Sequence, residues 1–510
     1  MKRYITFIML SACALVSAQN INDVMRYGSE NLQGTARFQG LSGAFGALGG
    51  DLSALNVNPA GSAVFNNSLF TVSGTSYTRD NAVRYFNGNE GTISSNVDLN
   101  QIGGVMVFKT TDPDADWKKV SLAINYDVVQ DLDDSFFVSG NSDQGIDNYF
   151  LNFANGKIPL QILQRPEDEL TENYYLDLGA NSGFGAQQAY LGFQGFLFEP
   201  VDDQNPDNVE YISSALYDNV FQEFSRTTAG YNGKFTLNAA TQFKNRLHLG
   251  ASLNFHNIQY TQLDNFYEDG YNTDSEIQFT TFDNYLQTQG SAFSFSLGTI
   301  MKLNEFFRIG GSYQSPTWYR LTDDFSQRLN SNIAQEERSN GNSDIHFINF
   351  EVVNLFEAYT IKIPEKLTGS LAIIFGKNGL LSLDYSYQDM ARAELRPETD
   401  SSFNVINNQI ANELGAVSSV RVGGEYRIAQ ISLRGGFRYE QSPYINETTI
   451  GDLSGFSAGI GYNFGGSRLD LAFNRSEQDI NKQLFDTGLT TRALINNINT
   501  NVTLGYTLNF

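Results

Sequence analysis

Charged residues recur at even spacings late in the chain: Arg421, Glu425 and Arg427, then Arg434, Arg438 and Glu440. Residues two or four apart on an extended strand share one face. These six therefore project together, and Lys362 joins them if its strand keeps the same register. A cation inside an otherwise apolar channel can hold a carboxylate, and a planar guanidinium does so with two parallel hydrogen bonds. Arg434, Arg438 and Lys362 are accordingly candidate ligand-binding residues. The same alternation also makes an arginine–glutamate ladder that braces a wall, and this structural use is the commoner one.

Other chemistry is excluded by spacing. His248 and His256 lie eight apart on one strand face, about 26 Å along an extended chain, too far to share a metal or a haem. Asp112-Pro113-Asp114-Ala115-Asp116 opens like a calcium loop, but Trp117 stands where glycine is needed and Ala123 where the bidentate glutamate belongs. Gly455-Phe456-Ser457-Ala458-Gly459 has the serine-hydrolase pattern without the strand-to-helix elbow that pattern requires. Cys13 is the only cysteine. No catalytic residue, metal or cofactor is expected; the chain does not read as an enzyme.

The elements that must position the cations are strands. Leu247, Leu249, Ala251, Leu253 and Phe255 alternate with His248, Gly250, Ser252, Asn254 and His256, the pattern of a wall with lipid on one side and a lumen on the other. No stretch after the N-terminus offers about 18 consecutive apolar residues, so spanning helices are not expected. Strands are placed near 69–78, 101–110, 117–130, 226–243, 246–260, 290–303, 306–323, 352–375, 380–392, 416–428, 430–441, 453–464, 467–476 and 499–510. The run 352–375 is kept whole because proline is tolerated at a bulge and bacterial single-chain barrels have even strand numbers. Short turns alternate with long loops, among them 79–100, 131–225, 261–289 and 324–351. Phe196-Leu197-Phe198, Phe221 and Phe224 are positioned to give the loop 131–225 an apolar rim. The expectation is an all-β fold, a 14-stranded antiparallel transmembrane β-barrel with a small N-terminal plug, integral to the bacterial outer membrane and in contact with its lipid.

The plug is read from Gly34 to Phe65, where six glycines precede Asp51 and Asn58-Pro59-Ala60-Gly61 follow. Glycine lets backbone pass close to its neighbours, which suits a compact segment threaded through a confined space. Residues 1–18 read as a secretory signal: Lys2 and Arg3, an apolar stretch, then Val16-Ser17-Ala18 before Gln19. Leu10-Ser11-Ala12-Cys13 would alternatively make a lipoprotein cleavage box. The domains expected are thus a signal at 1–18, a plug at 19–66 and a barrel at 67–510. The formal net charge of −23 would repel nucleic acid. Val502, Leu504, Tyr506, Leu508 and Phe510 share one face of the last strand. Tyr506, Leu508 and the terminal Phe510 resemble the signal read by the barrel assembly machinery.

Taken together, the chain resembles the FadL family of outer-membrane transporters for long-chain fatty acids and other hydrophobic compounds. Gly40 to Phe65, with Asn58-Pro59-Ala60-Gly61, is similar to the family's glycine-rich hatch and its N-P-A motif. Gly310-Gly311-Ser312-Tyr313-Gln314-Ser315-Pro316 resembles its G-x-x-Y-R-S-P strand, with Gln314 in place of arginine. Ile363-Pro364 followed by Leu383-Asp384-Tyr385 is similar to a later strand pair. The stretch from Val420-Arg421-Val422-Gly423-Gly424-Glu425-Tyr426 through Leu433-Arg434-Gly435-Gly436 to Ser442-Pro443 resembles its R-x-G-x-x-Y … R-x-G … S-P pattern. The resemblance implies passive movement of a hydrophobic ligand past outer loops, into a tunnel and out through a lateral gap into the membrane. It also implies that residues near the mature N-terminus, Gln19 to Val24 and Ile21 among them, touch the ligand. A different use of such barrels is as a non-transporting subunit or carrier in an outer-membrane protein secretion or assembly complex. A bulge or unpaired backbone in 101–130 would favour transport; a sealed wall would favour the partner protein.

Overall fold

A computed structural model describes residues 19–339 and 352–510 of the protein. The predicted signal 1–18, with Cys13, lies outside the described residues, as does 340–351 of the predicted loop 324–351. Among the described residues the chain forms a closed 14-strand antiparallel barrel with a helical N-terminal segment before it. The strands are β1 (Leu69–Tyr85), β2 (Gly88–Lys109), β3 (Trp117–Asp131), β4 (Val220–Phe243), β5 (Leu247–Asp269), β6 (Phe279–Lys302) and β7 (Phe307–Gln314 and Thr317–Ser331). They continue as β8 (Val353–Leu355, Tyr359–Ile363 and Lys366–Phe375), β9 (Gly379–Asp389, then Glu394–Arg396), β10 (Ala416–Ile428) and β11 (Ile431–Glu440). The last are β12 (Leu453–Asn463), β13 (Ser467–Gln483) and β14 (Arg492–Asn509). β14 closes on β1, from Leu69 opposite Asn509 to Arg84 opposite Leu494.

Several boundaries differ from the expectation: β5 runs to Asp269 and β6 begins at Phe279, both inside the expected loop 261–289, and β7 runs to Ser331 inside the expected loop 324–351. The stretch 79–100 is not a loop: β1 and β2 run on as a hairpin to a turn at 86–87, with Ile93, Val97 and Leu99 of β2 exposed on its outer face. The run 352–375 is not continuous, because the chain breaks between Ile363 and Lys366, where Pro364 cannot donate to a ladder. The expected outer loop 131–225 begins as strand Asp134–Ser142, paired with β4 from Thr228 back to Val220. Short turns fall where expected. Lys244 and Asn245 both have positive φ, 47° and 54°, which matches the twist of a two-residue hairpin.

Side-chain alternation makes the wall. On β5, Leu249, Leu253 and Phe255 are exposed toward lipid, whereas His248, Ser252 and Asn254 are buried inside. Tyr506, Leu508 and Phe510 are exposed at the end of the chain.

The segment before β1 contains helices α1 (Ile21–Gly28) and α2 (Ala36–Gln39) and 3-10 turns at Ser53–Asn56 and Pro59–Val64. It fills the lower lumen, and wall glycines make the room. A Cβ on Gly298 would lie 2.0 Å from Asn58 Oδ1, and one on Gly310 2.3 Å from the Gly46 carbonyl. The Asp384 carboxylate accepts from Phe45 N at 2.8 Å and Gly46 N at 2.9 Å. Asn58 Nδ2 donates to the Gly46 and Thr299 carbonyls at 2.7 and 3.0 Å, while its Oδ1 takes Ala60 N at 3.0 Å. One side chain thus ties plug to wall and caps the turn that follows, with Pro59 at its first position. Asn58→Ala strands these buried groups and is expected to loosen the plug by roughly 2–4 kcal/mol. Protease cleavage within 34–65 of the folded barrel, and a raised ion conductance in planar bilayers, would report it.

Above the barrel sits a cap of α3 (Asp147–Ala154), α4 (Leu160–Leu163), α5 (Thr171–Ser182) and α6 (Phe184–Gln194). Its core includes Phe150, Tyr175, Tyr190, Leu197, Phe198 and Phe224, with Leu484, Phe485 and Leu489 entering from the β13–β14 loop. Leu197, Phe198 and Phe224 are therefore interior to the cap and not an exposed apolar rim; each is 2 % exposed or less. α7 (Asn332–Ser339) and α8 (Ser401–Glu413) complete the helices among the described residues.

Candidate functional site

The lumen between plug and cap is occupied by the chain's own N-terminus. α1 starts at Asn20, whose side chain accepts from Asn22 N while Asp23 reaches back to Asn20 N, a capping box. Its apolar face, Ile21, Val24, Met25 and Tyr27, packs in one cluster with Ile361 and Ile363 of β8, Leu395, and Phe403, Ile406 and Ile410 of α8. Gln19 Nε2 donates to Asp323 Oδ2 at 2.9 Å, and the Tyr359 hydroxyl donates to the same oxygen at 2.9 Å. Ile21 is thus buried in an apolar compartment of the lumen, filled by the helix itself.

Beyond Gly28 the chain crosses the lumen without regular structure, and a cavity lies on each side. One holds about 220 Å³ and is lined by Gly28 to Gln33 with Tyr77, Arg79, Lys366, Arg438 and Glu440. The other holds about 90 Å³ and is lined by the same segment with Lys234, His256, Tyr319, Lys366 and Arg421. Glu30 stands between them. Lys366 Nζ reaches its carboxylate at 2.8 Å and Arg421 Nη2 at 3.1 Å. Arg421 lies opposite Arg438 across the β10–β11 ladder, a like-charge pairing that is unfavourable by itself. Arg438 donates to Ser476 Oγ at 3.0 Å; among the described residues neither it nor Lys234 has a carboxylate within ion-pair distance. Four cations therefore face Glu30 and Glu440, with Asp127 also near Lys234 and Asp384 near Arg421. Enclosure in the barrel works against the Glu30 charge, but Lys366 and then Arg421 outweigh it and hold the carboxyl down to about 2. The stabilisation from these pairs is complete above the ordinary glutamate value and is lost as pH falls through about 2.

The three predicted cations separate. Arg438 lines the larger cavity. Arg434 does not reach either one: its Nε donates to Glu425 at 2.7 Å and its Nη1 to Asp470 at 2.8 Å. Arg37 of the plug shares Glu425 at 3.0 Å, and Arg468 shares Asp470 at 2.5 Å. Arg434 thus belongs to a bracing ladder that ties plug to wall. Lys362 is on the wrong face. Tyr359, Ile361 and Ile363 are buried inside the barrel, so Lys362 points away from them and pairs with Glu394 at 3.0 Å. The break at Pro364 is what shifts the register. Ser457 of the hydrolase-like pattern bonds Ser42 of the plug, with Ser42 N donating to its Oγ at 3.0 Å. Glu30, Lys366 and Lys234 were missed. A signal for Glu30 existed: Asp23 and Glu30 are the only acidic residues between Gln19 and Gly50.

The wall beside this chamber is not continuous. β2 and β3 are paired from Lys109 opposite Lys119 up to Gln101 opposite Asp127, and no further. Above that point β2 stays paired with β1, with a shift at Ser73/Gly74 that leaves Asn100 out of the ladder. β3 stays with β4, with a shift at Val128/Gln130. Side chains span the seam instead. Asn96 Nδ2 donates to Asp131 Oδ2 and Asp133 Oδ2, both at 2.8 Å, and Arg79 pairs with Asp131 at 3.3 Å. Asn100 Nδ2 donates to the Gly34 carbonyl at 3.0 Å, and Gln130 Nε2 to the Arg26 and Ser29 carbonyls at 2.7 and 2.5 Å. The N-terminal segment is thus pinned directly behind the seam, and Val129 and Gln130 line the smaller cavity.

A family model described as outer membrane protein transport protein (OMPP1/FadL/TodX) matches residues 222–504, more than half of the chain. Among solved structures the chain is similar to a Pseudomonas aeruginosa FadL homologue, at 12 % identity and a TM-score of 0.54, covering 95 % of this chain and 100 % of that one. It is also similar to the toluene transporter TodX of P. putida, at 14 % identity and a TM-score of 0.50, covering 94 % and 99 %. No curated protein matches.

Proposed function

Because the chain belongs to the FadL/TodX family of outer-membrane transport proteins, a family of channels and not of enzymes, we propose that it passes a hydrophobic molecule bearing a carboxylate, a long-chain fatty acid first, sideways into the outer membrane. The observation that carries this reading is the seam: ladder pairing between β2 and β3 stops at Gln101 and Asp127, beside a chamber lined by the N-terminal segment. Across the seam a few side-chain contacts, Asn96 to Asp131 and Asp133 and Arg79 to Asp131, stand where a ladder would not move. Arg438, Arg421 and Lys366 would hold the carboxylate, and the compartment now filled by Ile21, Val24 and Met25 would take the alkyl chain once α1 withdraws. A neutral aromatic such as toluene, which TodX transports, needs no cation, and four of them argue for an acid. Movement is passive. Tyr506, Leu508 and Phe510 would address the chain to the barrel assembly machinery. The reading as a subunit of a secretion or assembly complex calls for a sealed wall, and the seam lends it no support.

Gentle extraction from the native membrane followed by native mass spectrometry tests the proposal. The expected result is a barrel carrying fatty acid at up to one equivalent. An empty barrel with a stoichiometric protein partner would overturn it.

A further inference from the structure

At the periplasmic end of the lumen, below the plug, cations collect without counter-charges. Lys109 and Lys119 are directly opposite on β2 and β3. Lys302 and Arg308 are directly opposite on β6 and β7. Gln242 and His248 bridge the two pairs in register, Lys119 with Gln242, Gln242 with His248, and His248 with Ile300. Lys119, Gln242, His248 and Ile300 are buried on the lumen face, and the even spacing from Val105 and Ala372 places Lys109 and Arg308 on that face too. Like charges directly opposite on a ladder are destabilising, and two such pairs converge here in a chain whose net charge is −23.

The upper chamber shows how the fold treats the same problem. There the opposed Arg421 and Arg438 have Glu30, supplied by the plug. Below the plug, among the described residues, none of Lys109, Lys119, Lys302 or Arg308 has a carboxylate within 4.0 Å. Lys119 Nζ donates to the Phe65 carbonyl at 2.6 Å and Arg308 Nη1 to the Leu48 carbonyl at 3.2 Å, so both lie against the underside of the plug. His248 supplies a second, independent sign. Its Nδ1 faces the Ile300 carbonyl at 3.2 Å, so that nitrogen carries the proton, and its Nε2 is buried with no partner at all. A buried polar atom left unpaired is uncommon and calls for an explanation.

We propose that Lys109, Lys119, His248, Lys302 and Arg308 form a phosphate site at the periplasmic mouth, taking either free phosphate or the phosphate of a lipid headgroup. Three lysines and an arginine exceed what one carboxylate offsets, whereas a phosphate brings nearly two negative charges and several acceptor oxygens. Lysine serves it as a point charge and arginine as a fork. With Nδ1 protonated, His248 Nε2 is free to accept a hydrogen bond from a protonated phosphate oxygen. The site is separate from the upper chamber and stands or falls without the transport reading.

The test uses the mature protein in a phosphate-free maltoside detergent, titrated with inorganic phosphate by calorimetry and by nitrogen NMR of the imidazoles. Saturable binding of one equivalent is expected, moving the His248 resonances and leaving those of His256 in place. The double variant Lys109→Gln/Lys302→Gln keeps the contacts to Phe65 and Leu48, and so keeps the plug seated; its affinity should fall at least about tenfold. Lysophosphatidic acid displacing phosphate at micromolar concentration would assign the site to a headgroup, and failure to displace it would assign it to the free ion. Non-saturable binding, unchanged affinity in the double variant, or displacement by equimolar laurate would each overturn the proposal.

Discussion

Glu30→Gln is expected to raise affinity for a long-chain fatty acid about tenfold and to leave affinity for the alcohol of equal length unchanged. In the resting barrel Glu30 already occupies the position an incoming carboxylate needs, bridging Lys366 and Arg421 at 2.8 and 3.1 Å. A ligand acid must exchange with it. Glutamine cannot form either ion pair, so the exchange cost disappears and the opposed Arg421 and Arg438 are left to the ligand alone. The Glu30 side chain is 42 % exposed to the cavities, so each pair is screened and contributes on the order of 1 kcal/mol or less. Two of them together correspond to about the tenfold expected. Fluorescence titration with a labelled fatty acid in detergent, wild type against variant, reads the effect directly. An equal gain for the alcohol would mean that the N-terminal segment had simply loosened. No gain for the acid would remove Glu30 from the binding step.

The same residues show what was legible in the sequence and what was not. Alternation over ten residues fixes which face of β5 meets lipid, because burying one face and exposing the other is the only stable use of His248, Leu249, Ser252 and Leu253 in a membrane wall. The strand count follows from repeating that reading. Near the hairpin tip, Arg79 to Asn81 and Asn87 to Glu90 are polar on both faces and the period vanishes, which is why 79–100 looked like a loop and is a hairpin. Register is harder still. One break at Pro364 turns Lys362 from the lumen to the outer face, since a slip by one residue inverts every side chain. The cations of β10 and β11 were correctly placed on one face, yet which of them bind and which brace depends on partners from other segments: Glu425, shared with Arg37 of the plug, and Asp470 claim Arg434, while Arg438, among the described residues, is held only by Ser476. Glu30 could be noticed in the sequence as one of two acids in its segment, but its role could not, for the same reason. Its role exists only once the N-terminus is threaded back through the barrel to meet Lys366, more than three hundred positions away.

A covalent bridge across the seam should separate sideways exit from passage through the plug. Asn96 and Asp133 already touch there, Nδ2 to Oδ2 at 2.8 Å, and replacing both with cysteine leaves the Arg79–Asp131 pair intact. The one native cysteine, Cys13, falls in the predicted signal, so the engineered pair meets no competing thiol in the mature chain. Joined by a short thiol cross-linker, the pair is expected to reduce fatty-acid uptake at least about tenfold, with a cleavable linker restoring it. Binding in the chamber should be nearly unaffected, because the bridge lies outside both cavities. The reason is mechanical. Above Gln101 and Asp127 the wall is held by side-chain hydrogen bonds, each with a net value of roughly 0.5–1.5 kcal/mol, which thermal motion opens and recloses; a covalent link does not open. If the ligand instead drops past the plug into the periplasm, the bridged barrel will transport normally and Asn58→Ala will raise the flux. If it leaves through the wall, the bridge will block it and Asn58→Ala will add only a leak for ions.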